Sequence, residues 1–528
     1  MPSFFHASDE LGEIALVAYP NFRLIAIVLG EAIEARSEPS REAKSLGGSM
    51  SFEAYDDYDG IGLAELVRRR EVSALELAEA AIARIERHNP ALNAVVLPMY
   101  EHARELARGP LPDGPFRGVP FLLKDMTAHY QGFPTTHGCK FLAGVAPSSY
   151  DSELVKRFRA AGLVTVGKTS TPELALSPTT EPSFRGPVHN PWDLGRTPGG
   201  SSGGSAAAIA ARLVPIAHGG DGGGSLRIPA SCCGIVGFKP SRMRTPHGPD
   251  AASIWESCCG EFVMSRSVRD SAVLLDAVCG QDVGAYYASP PRERPYADEI
   301  RADPPPLRIA WSASGPANYP VHPDCRAAVE HAARLCTDLG HHVEEATPML
   351  SEAQLAALGE GFMGMLAVET AADLDELAAL VGRPATAADL EPVNWALAAR
   401  GRACTAADAV RFKRQLHAVA RAVGPFFERY DVYFAPTLGV PPVRLGYIDP
   451  TMGDIDEYFR RVFEFIPFTA LFNVTGSPGV SLPLWWNDAH LPIGVQCVSR
   501  MGRDGVLFAL AAQLERAQPW AMRRPPLR

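Results

Sequence analysis

The stretch Asp151-Ser-Glu-Leu-Val-Lys-Arg-Phe-Arg-Ala-Ala-Gly-Leu-Val-Thr-Val-Gly-Lys-Thr169 reads as a helix from Asp151 to Ala161 followed by a short apolar strand from Leu163 to Val166. The same alternation extends in both directions. Upstream, apolar residues recur at helical spacing between Gly62 and His88, which predicts two amphipathic helices split near Val72-Ser73 and closed by Asn89-Pro90, and an apolar run at Val119–Leu123 predicts a strand. Downstream come the alanine-rich run Ala206–Ala211, a strand at Val214–Ala217, a strand at Leu307–Trp311 and a helix at Asp324–Leu339. Further strands are expected at His342–Ala346, Val432–Phe434, Val480–Leu484 and Ile493–Val498. Strand and helix in alternation predict an α/β fold, a single α/β/α layered domain around a large mixed, mostly parallel sheet. Residues 281–306, rich in Pro, Arg and Asp, read as a surface connection, and residues 351–428 as a mainly helical cover.

With 528 residues, 46% of them hydrophobic and 21% charged, the chain can bury a large core, which excludes disorder and low complexity. A net charge of −10 without a compensating basic run disfavours phosphate backbones and anionic membranes, so neither a nucleic acid nor a membrane is expected as partner. The ten cysteines contain no C-x-x-C spacing and form neither a disulfide framework nor a zinc ribbon. They read as small core residues in a reducing, cytoplasmic setting. Only seven of the fifty basic residues are Lys, so a Lys inside an apolar run raises a chemical question. The apolar stretch Glu13–Gly30 is interrupted by Pro20, Asn21 and Arg23 and preceded by Asp9 and Glu10, which argues against a signal or a span. Helical patterning begins near Tyr55, so Met50 is read as the natural start, residues 1–49 as an upstream extension and 50–528 as the functional domain.

Two glycine- and serine-rich segments carry the chemistry, Thr197-Pro-Gly-Gly-Ser-Ser-Gly-Gly-Ser205 and His218-Gly-Gly-Asp-Gly-Gly-Gly-Ser225. Glycine strips side chains from the backbone and exposes its N–H groups, so such loops hold anions. A phosphate cradle requires a Gly-Lys-Ser/Thr ending that neither loop has. The string Gly162-Leu-Val-Thr-Val-Gly-Lys-Thr169 matches that pattern, but its middle residues are β-forming and Pro172 follows closely, so it reads as a strand end. A nucleophile elbow is satisfied by Gly200-Ser-Ser-Gly-Gly204 with Ser202 at its centre, although Arg196-Thr197-Pro198 is a poor entering strand. A third reading pairs Ser225, at the end of four residues whose N–H groups can converge on an oxyanion, with a serine of the first loop and with Lys124, which follows the apolar run of Gly118-Val-Pro-Phe-Leu-Leu-Lys124. Desolvation there would lower the lysine from its usual ~10.4 toward the working pH and supply a neutral amine base. A Lys after an apolar strand is also a common snorkelling surface residue, and a chain that uses its glycine loops only to bind anions remains the alternative from another class.

The segments Gly199-Gly-Ser-Ser-Gly-Gly-Ser-Ala-Ala-Ala208, Asp221-Gly-Gly-Gly-Ser-Leu-Arg-Ile-Pro-Ala230 and Leu123-Lys124-Asp125 resemble the amidase signature family, as do Gly234-Ile-Val-Gly-Phe-Lys-Pro240, Phe472-Asn-Val-Thr-Gly-Ser-Pro478 and Pro492-Ile-Gly-Val-Gln496. The resemblance runs from about Ile61 to about Trp520. In that family the bridging and nucleophilic serines lie 24 residues apart, which here selects Ser201 and Ser225 rather than Ser202. The resemblance implies that Ser225 attacks the acyl carbon, that Ser201, on a cis peptide, relays protons, and that Lys124 is the base. The N–H groups of Gly222, Gly223, Gly224 and Ser225 would form the oxyanion hole. Neither a metal nor any other cofactor is implied. Gly220 and Gly222 depart from the usual pattern, and their lack of side chains is expected to loosen the loop and enlarge the acyl pocket.

Within the family, Thr180-Glu-Pro182, Asn190-Pro-Trp-Asp-Leu-Gly-Arg196 and Ser225-Leu-Arg-Ile-Pro-Ala-Ser231 are most similar to hydrolases of aminohexanoate cyclic dimers and related nylon oligomers. Substrates expected from this resemblance are small non-peptide amides, aryl amides and carbamates, with esters as side substrates. The tRNA-linked glutamine amidotransferase subunit is a weaker match. Phe362–Val368, with Met363 in it, and Tyr130, Phe133 and Trp255 are the expected pocket residues. The sequence leaves the oligomeric state open, a homodimer included.

Overall fold

The computed structural model describes residues 52–527, so the readings of Glu13–Gly30, of Met50 and of residues 1–49 lie outside the described residues. The apolar runs become one eleven-stranded sheet. Its strands are β1 (Val95–Pro98), β2 (Pro120–Lys124), β3 (Val164–Thr169), β4 (Ile216–Asp221), β5 (Val236–Lys239), β6 (Gly260–Ser265), β7 (Arg308–Trp311), β8 (His342–Glu345), β9 (Val432–Pro436), β10 (Gly479–Trp486) and β11 (Pro492–Ser499). They lie in the order β1-β3-β2-β4-β6-β5-β10-β11-β9-β7-β8.

The fold is α/β, with a large mixed sheet and flanking helices, as expected. The parallel share is smaller than the sequence suggested. Parallel pairing joins β3, β2 and β4 and again β9, β7 and β8, while the remaining neighbours are antiparallel. Two of the antiparallel pairs, β5 with β6 and β10 with β11, are consecutive strands with no helix between them, and such a connection turns the chain back on itself. The clearest case is the turn between β10 and β11, where Asn487 Oδ1 accepts the Leu491 N–H at 2.9 Å and its own N–H donates to Leu491 O at 3.0 Å.

The two expected N-terminal helices are Gly60–Arg68 and Ala74–Leu92, and the second opens with a capping box between Ser73 and Glu76. It does not stop at Asn89-Pro90. The helix runs through Pro90 to Leu92 and ends at Asn93, whose φ of +53° turns the chain out. Asn89 explains the extension, because its Oδ1 accepts the N–H groups of Ala94 and Val95, each at 2.8 Å, and ties the helix end to β1. The string that mimics a phosphate loop is β3, fully buried, with Lys168 Nζ donating to Pro134 O at 2.8 Å and Thr135 Oγ1 at 2.6 Å.

Two short helices pack on the sheet beside the glycine loops, Gly203–Ala210 and Arg227–Cys233, and every side chain in both is buried. Gly, Ser and Ala make up the first apart from Ile209, whereas the second buries Arg227, Ile228 and Pro229 beside Ala, Ser and Cys. Residues 351–428 hold the helices Glu352–Val381, Pro392–Arg402 and Ala406–Val423, the first packed on the other two. Glu352–Val381 is apolar and long enough to span a membrane by composition alone. Here it packs on those helices and lines a cavity.

Candidate active site

Lys124 is the last residue of β2 and is 2% exposed. Its Nζ lies 2.7 Å from Ser201 Oγ. Burial pulls the ammonium down to about 8, an effect that Glu261, Cys259 and Asp221 partly oppose. Ser201 follows a cis peptide bond, Gly200–Ser201, on the loop ahead of the Gly203–Ala210 helix, and its carbonyl oxygen accepts from Thr171 Oγ1 at 3.0 Å. The loop is packed too closely for side chains: a Cβ on Gly200 would stand 2.7 Å from Thr179 O and 2.9 Å from Ser177 O.

The second loop leaves β4 at Asp221 and is held by a buried polar network. Arg227, wholly buried, donates Nε to Asp221 Oδ2 at 2.9 Å and Nη2 to Asp221 Oδ1 at 2.8 Å, and also bonds the side-chain oxygens of Asn473 and Gln496. Asn473 Nδ2 donates back to Asp221 Oδ1 at 2.8 Å. Against the upward push of burial, the charge and hydrogen bonds of Arg227 hold the Asp221 carboxyl at about 2. Asp221 in turn accepts the Gly224 N–H at 2.8 Å and the Leu226 N–H at 3.2 Å, which curls the loop around its carboxylate. Gly224 sits at φ +135°, and a Cβ there would meet Thr469 Oγ1 at 2.4 Å.

Gly223 and Ser225 face a cavity of about 210 Å³. One stripe of the Glu352–Val381 helix forms one wall, with Leu355, Leu358, Phe362, Met363 and Leu366 at helical spacing. Ser177 also lines the cavity, and its carbonyl oxygen is the one 2.9 Å from the place of a Cβ on Gly200. No Asp, Glu, Lys, Arg or His lines the cavity among the described residues.

A buried lysine on a serine that follows a cis peptide, beside a glycine loop clamped by Asp and Arg, is a specific constellation. The amidase family model matches residues 76–508. This chain belongs to the amidase signature family. It is 40% identical over 488 residues to the 6-aminohexanoate-cyclic-dimer hydrolase of Paenarthrobacter ureafaciens, covering 89% of this chain and 96% of the relative. A relative of the same description from Pseudomonas sp. (strain NK87) is 39% identical over the same length and shares. A solved 6-aminohexanoate cyclic dimer hydrolase complexed with substrate superposes with a TM-score of 0.84 at 38% identity, covering 90% of this chain and 99% of that one. A bacterial aryl acylamidase of the same family superposes with a TM-score of 0.79 at 28% identity, covering 88% and 97%. The protein is thus an amidase signature hydrolase acting on amide C–N bonds.

Several expectations about the amidase site need correction. The Gly224 N–H is already donated to Asp221, which leaves those of Gly222, Gly223 and Ser225 without a protein acceptor among the described residues. The space freed at Gly222 does not enlarge the pocket. A Cβ there would stand 2.5 Å from Cys259 Sγ and 2.6 Å from the Trp255 ring, so those side chains occupy it. Trp255 and Met363 line the cavity, but Tyr130 and Phe133 do not. Tyr130 is buried elsewhere, its hydroxyl 2.8 Å from His102 Nε2 and its ring under the Arg159 guanidinium, and Phe133 packs edge-on against the same histidine. Ser202 is no elbow nucleophile: it is fully buried, its Oγ donates to Gly220 O at 3.2 Å, and it does not reach the cavity. Ser225 faces the cavity, and its hydroxyl has no protein hydrogen-bond partner among the described residues.

Sequence reasoning missed Glu261, an acid inside the apolar strand β6 that burial raises to about 7 and that accepts from Thr127 Oγ1. His218, 3.8 Å away, is held neutral by burial, so the two form no ion pair. It also missed the work of Arg227. Replacing Arg227 by Met should cost about 3–5 kcal/mol, because the Asp221 carboxylate is then buried without its counter-charge. Urea unfolding measures this, and a loss below about 1 kcal/mol would show that the network does not clamp the loop.

Proposed function

We propose that the protein hydrolyses small, neutral, largely apolar amides through an acyl-enzyme. The observation that carries this reading is the 2.7 Å contact between buried Lys124 and Ser201, on a loop that adjoins, through Ser202 Oγ and Gly220 O, the glycine loop whose Ser225 lines the cavity. In the proposed reaction Ser225 Oγ attacks the carbonyl carbon while its proton passes to Ser201 Oγ and the Ser201 proton passes to the neutral Lys124 amine. The N–H groups of Gly222, Gly223 and Ser225 hold the oxyanion, each worth roughly 3–4 kcal/mol at comparable sites. Collapse breaks the C–N bond, and the departing amine takes a proton back along Lys124 and Ser201. Water then cleaves the ester by the same relay. Serine relays of this kind tighten when substrate seats, so a free-standing Ser225 hydroxyl is compatible with the sequence of steps.

The lining supports this substrate class, because among the described residues it offers apolar surface and no charge to pair with a charged ligand. Nylon-oligomer-like cyclic amides, aryl amides and carbamates fit it, in keeping with relatives named 6-aminohexanoate-cyclic-dimer hydrolase and aryl acylamidase. Aryl esters are proposed as side substrates. The discriminating experiment uses leaving groups. An amine leaves badly unless protonated and an aryl alcohol does not, so Ser201→Ala should lower kcat/KM for amides and carbamates by a larger factor than for matched aryl esters. Equal losses across the pairs would remove Ser201 from the relay.

A further inference from the structure

Between β5 and β6 the chain makes a turn that the chemistry above does not use. Trp255, Glu256 and Ser257 have φ of +50°, +51° and +59°. Three consecutive non-glycine residues in the left-handed region persist only where the surroundings over-determine them. Successive N–H groups in such a turn converge into a concave anion site, and here a carboxylate of this same chain fills it. Glu369, on the Glu352–Val381 helix, accepts the Trp255 N–H at 2.9 Å and the Glu256 N–H at 3.2 Å. A second anchor joins Glu256 to the Ala406–Val423 helix, with Lys413 Nζ at 2.7 Å and His417 Nε2 at 3.4 Å. The turn closes on itself through Cys258 N–H to Trp255 O at 2.9 Å, and Arg242 Nε donates to Ser257 O at 3.0 Å.

The strapped segment presents the indole to the oxyanion loop. Trp255 lies where a side chain on residue 222 would stand, and Phe362 meets it edge to face with ring centroids 6.4 Å apart. Phe362 also lies 3.5 Å from the place of a Cβ on Gly223. Both rings line the same cavity as Gly223 and Ser225, so an acyl group seated at Ser225 with its carbonyl oxygen on the loop has the carbon next to its carbonyl beside two aromatic side chains.

We propose that Trp255, held over the loop by Glu369, is a specificity-determining residue that favours linear acyl chains over acyl groups branched next to the scissile carbonyl. This rests on the amide-hydrolase reading above and adds to it the identity of the discriminating wall. Trp255 touches substrate, whereas Glu369 lies outside the cavity lining and acts as a positioning residue.

The test compares kcat/KM of the full-length protein for the p-nitroanilides of butanoic and 2,2-dimethylpropanoic acids, which share one leaving group. Trp255→Ala should raise the branched-to-linear ratio about tenfold or more, the discrimination one or two methyl groups command in a tight pocket. Trp255→Phe, which keeps a ring but shortens it, should move the ratio less in the same direction. Glu369→Gln keeps the volume and loses the charge in the turn, and it should shift the ratio severalfold toward branched substrates. A merely structural role for Glu369 would lower both substrates together. Ratios within twofold of wild type in all three variants, or a shift seen only when the leaving group is varied, would overturn the proposal while leaving the amidase reading intact. A wild-type protein that turns over neither anilide would overturn both.

Discussion

Ser225→Ala is expected to lower anilide turnover by roughly 10⁶-fold, the loss seen when a hydrolase forfeits the member of its catalytic set that attacks. The variant should melt within a few degrees of wild type, since the Ser225 hydroxyl has no protein hydrogen bond to lose among the described residues and only faces the cavity. The comparison with Ser202→Ala gives the result its meaning. Ser202 is one residue from the proposed relay and shares its glycine-rich surroundings, yet its hydroxyl is committed to the backbone of Gly220. Removing it costs about 1 kcal/mol of stability and should keep most of the activity. Labelling with a fluorophosphonate probe should follow the same order, present in wild type and Ser202→Ala and absent in Ser225→Ala. The reverse order would move the nucleophile to Ser202 and displace the proposed chemistry.

The parts of the molecule that could be read from the chain are those in which local sequence and chemistry agree. Of the apolar runs, Ile493–Val498 lies within β11 and Val119–Leu123 overlaps β2 from Pro120 on, because a strand buried on both faces is mostly apolar. Lys124 stood out because a rare residue closed such a run, and the structure joins it to Ser201. The strands β5 and β6 were harder to read, being short and interrupted by Gly237 and Glu261. The alternation suggested a mostly parallel sheet, and the antiparallel neighbours escaped it because strand direction depends on connections whose paths are tertiary.

The site's supporting groups were hidden for a different reason. Arg227, Asn473 and Gln496 belong to motifs quoted for the family resemblance, but nothing local says that an arginine beside Ser225 turns inward to bond residues about 250 positions away. The reading of Gly222 failed on the same ground. Absence of a side chain suggests space, yet the space belongs to whichever neighbour fills it, and Trp255 reaches it only through a left-handed turn that no propensity favours. Tyr130 and Phe133 were expected beside the Phe362–Val368 stretch, but β2 ends at Lys124 and the chain beyond it carries both rings to His102.

Amide hydrolysis should rise with pH through a midpoint near the value of about 8 that burial imposes on Lys124, and then level off. The sign follows from the proposed role. A base must be neutral to accept a proton, so below the midpoint the protonated lysine is inactive and kcat/KM should fall about tenfold per pH unit. Lys124→Met, which keeps the buried volume, should lower kcat by ~10²–10⁴-fold, the usual contribution of a positioned general base. What rate remains should climb with hydroxide and show no plateau. Glu261 supplies an internal check, because its carboxylate raises the Lys124 pKa. Glu261→Gln removes that charge, so the protonated lysine loses a stabilising neighbour and the rising limb should move to lower pH. A midpoint that stays in place would separate Glu261 from the base, and a Lys124→Met protein that keeps more than a tenth of wild-type turnover would dismiss Lys124 from the reaction.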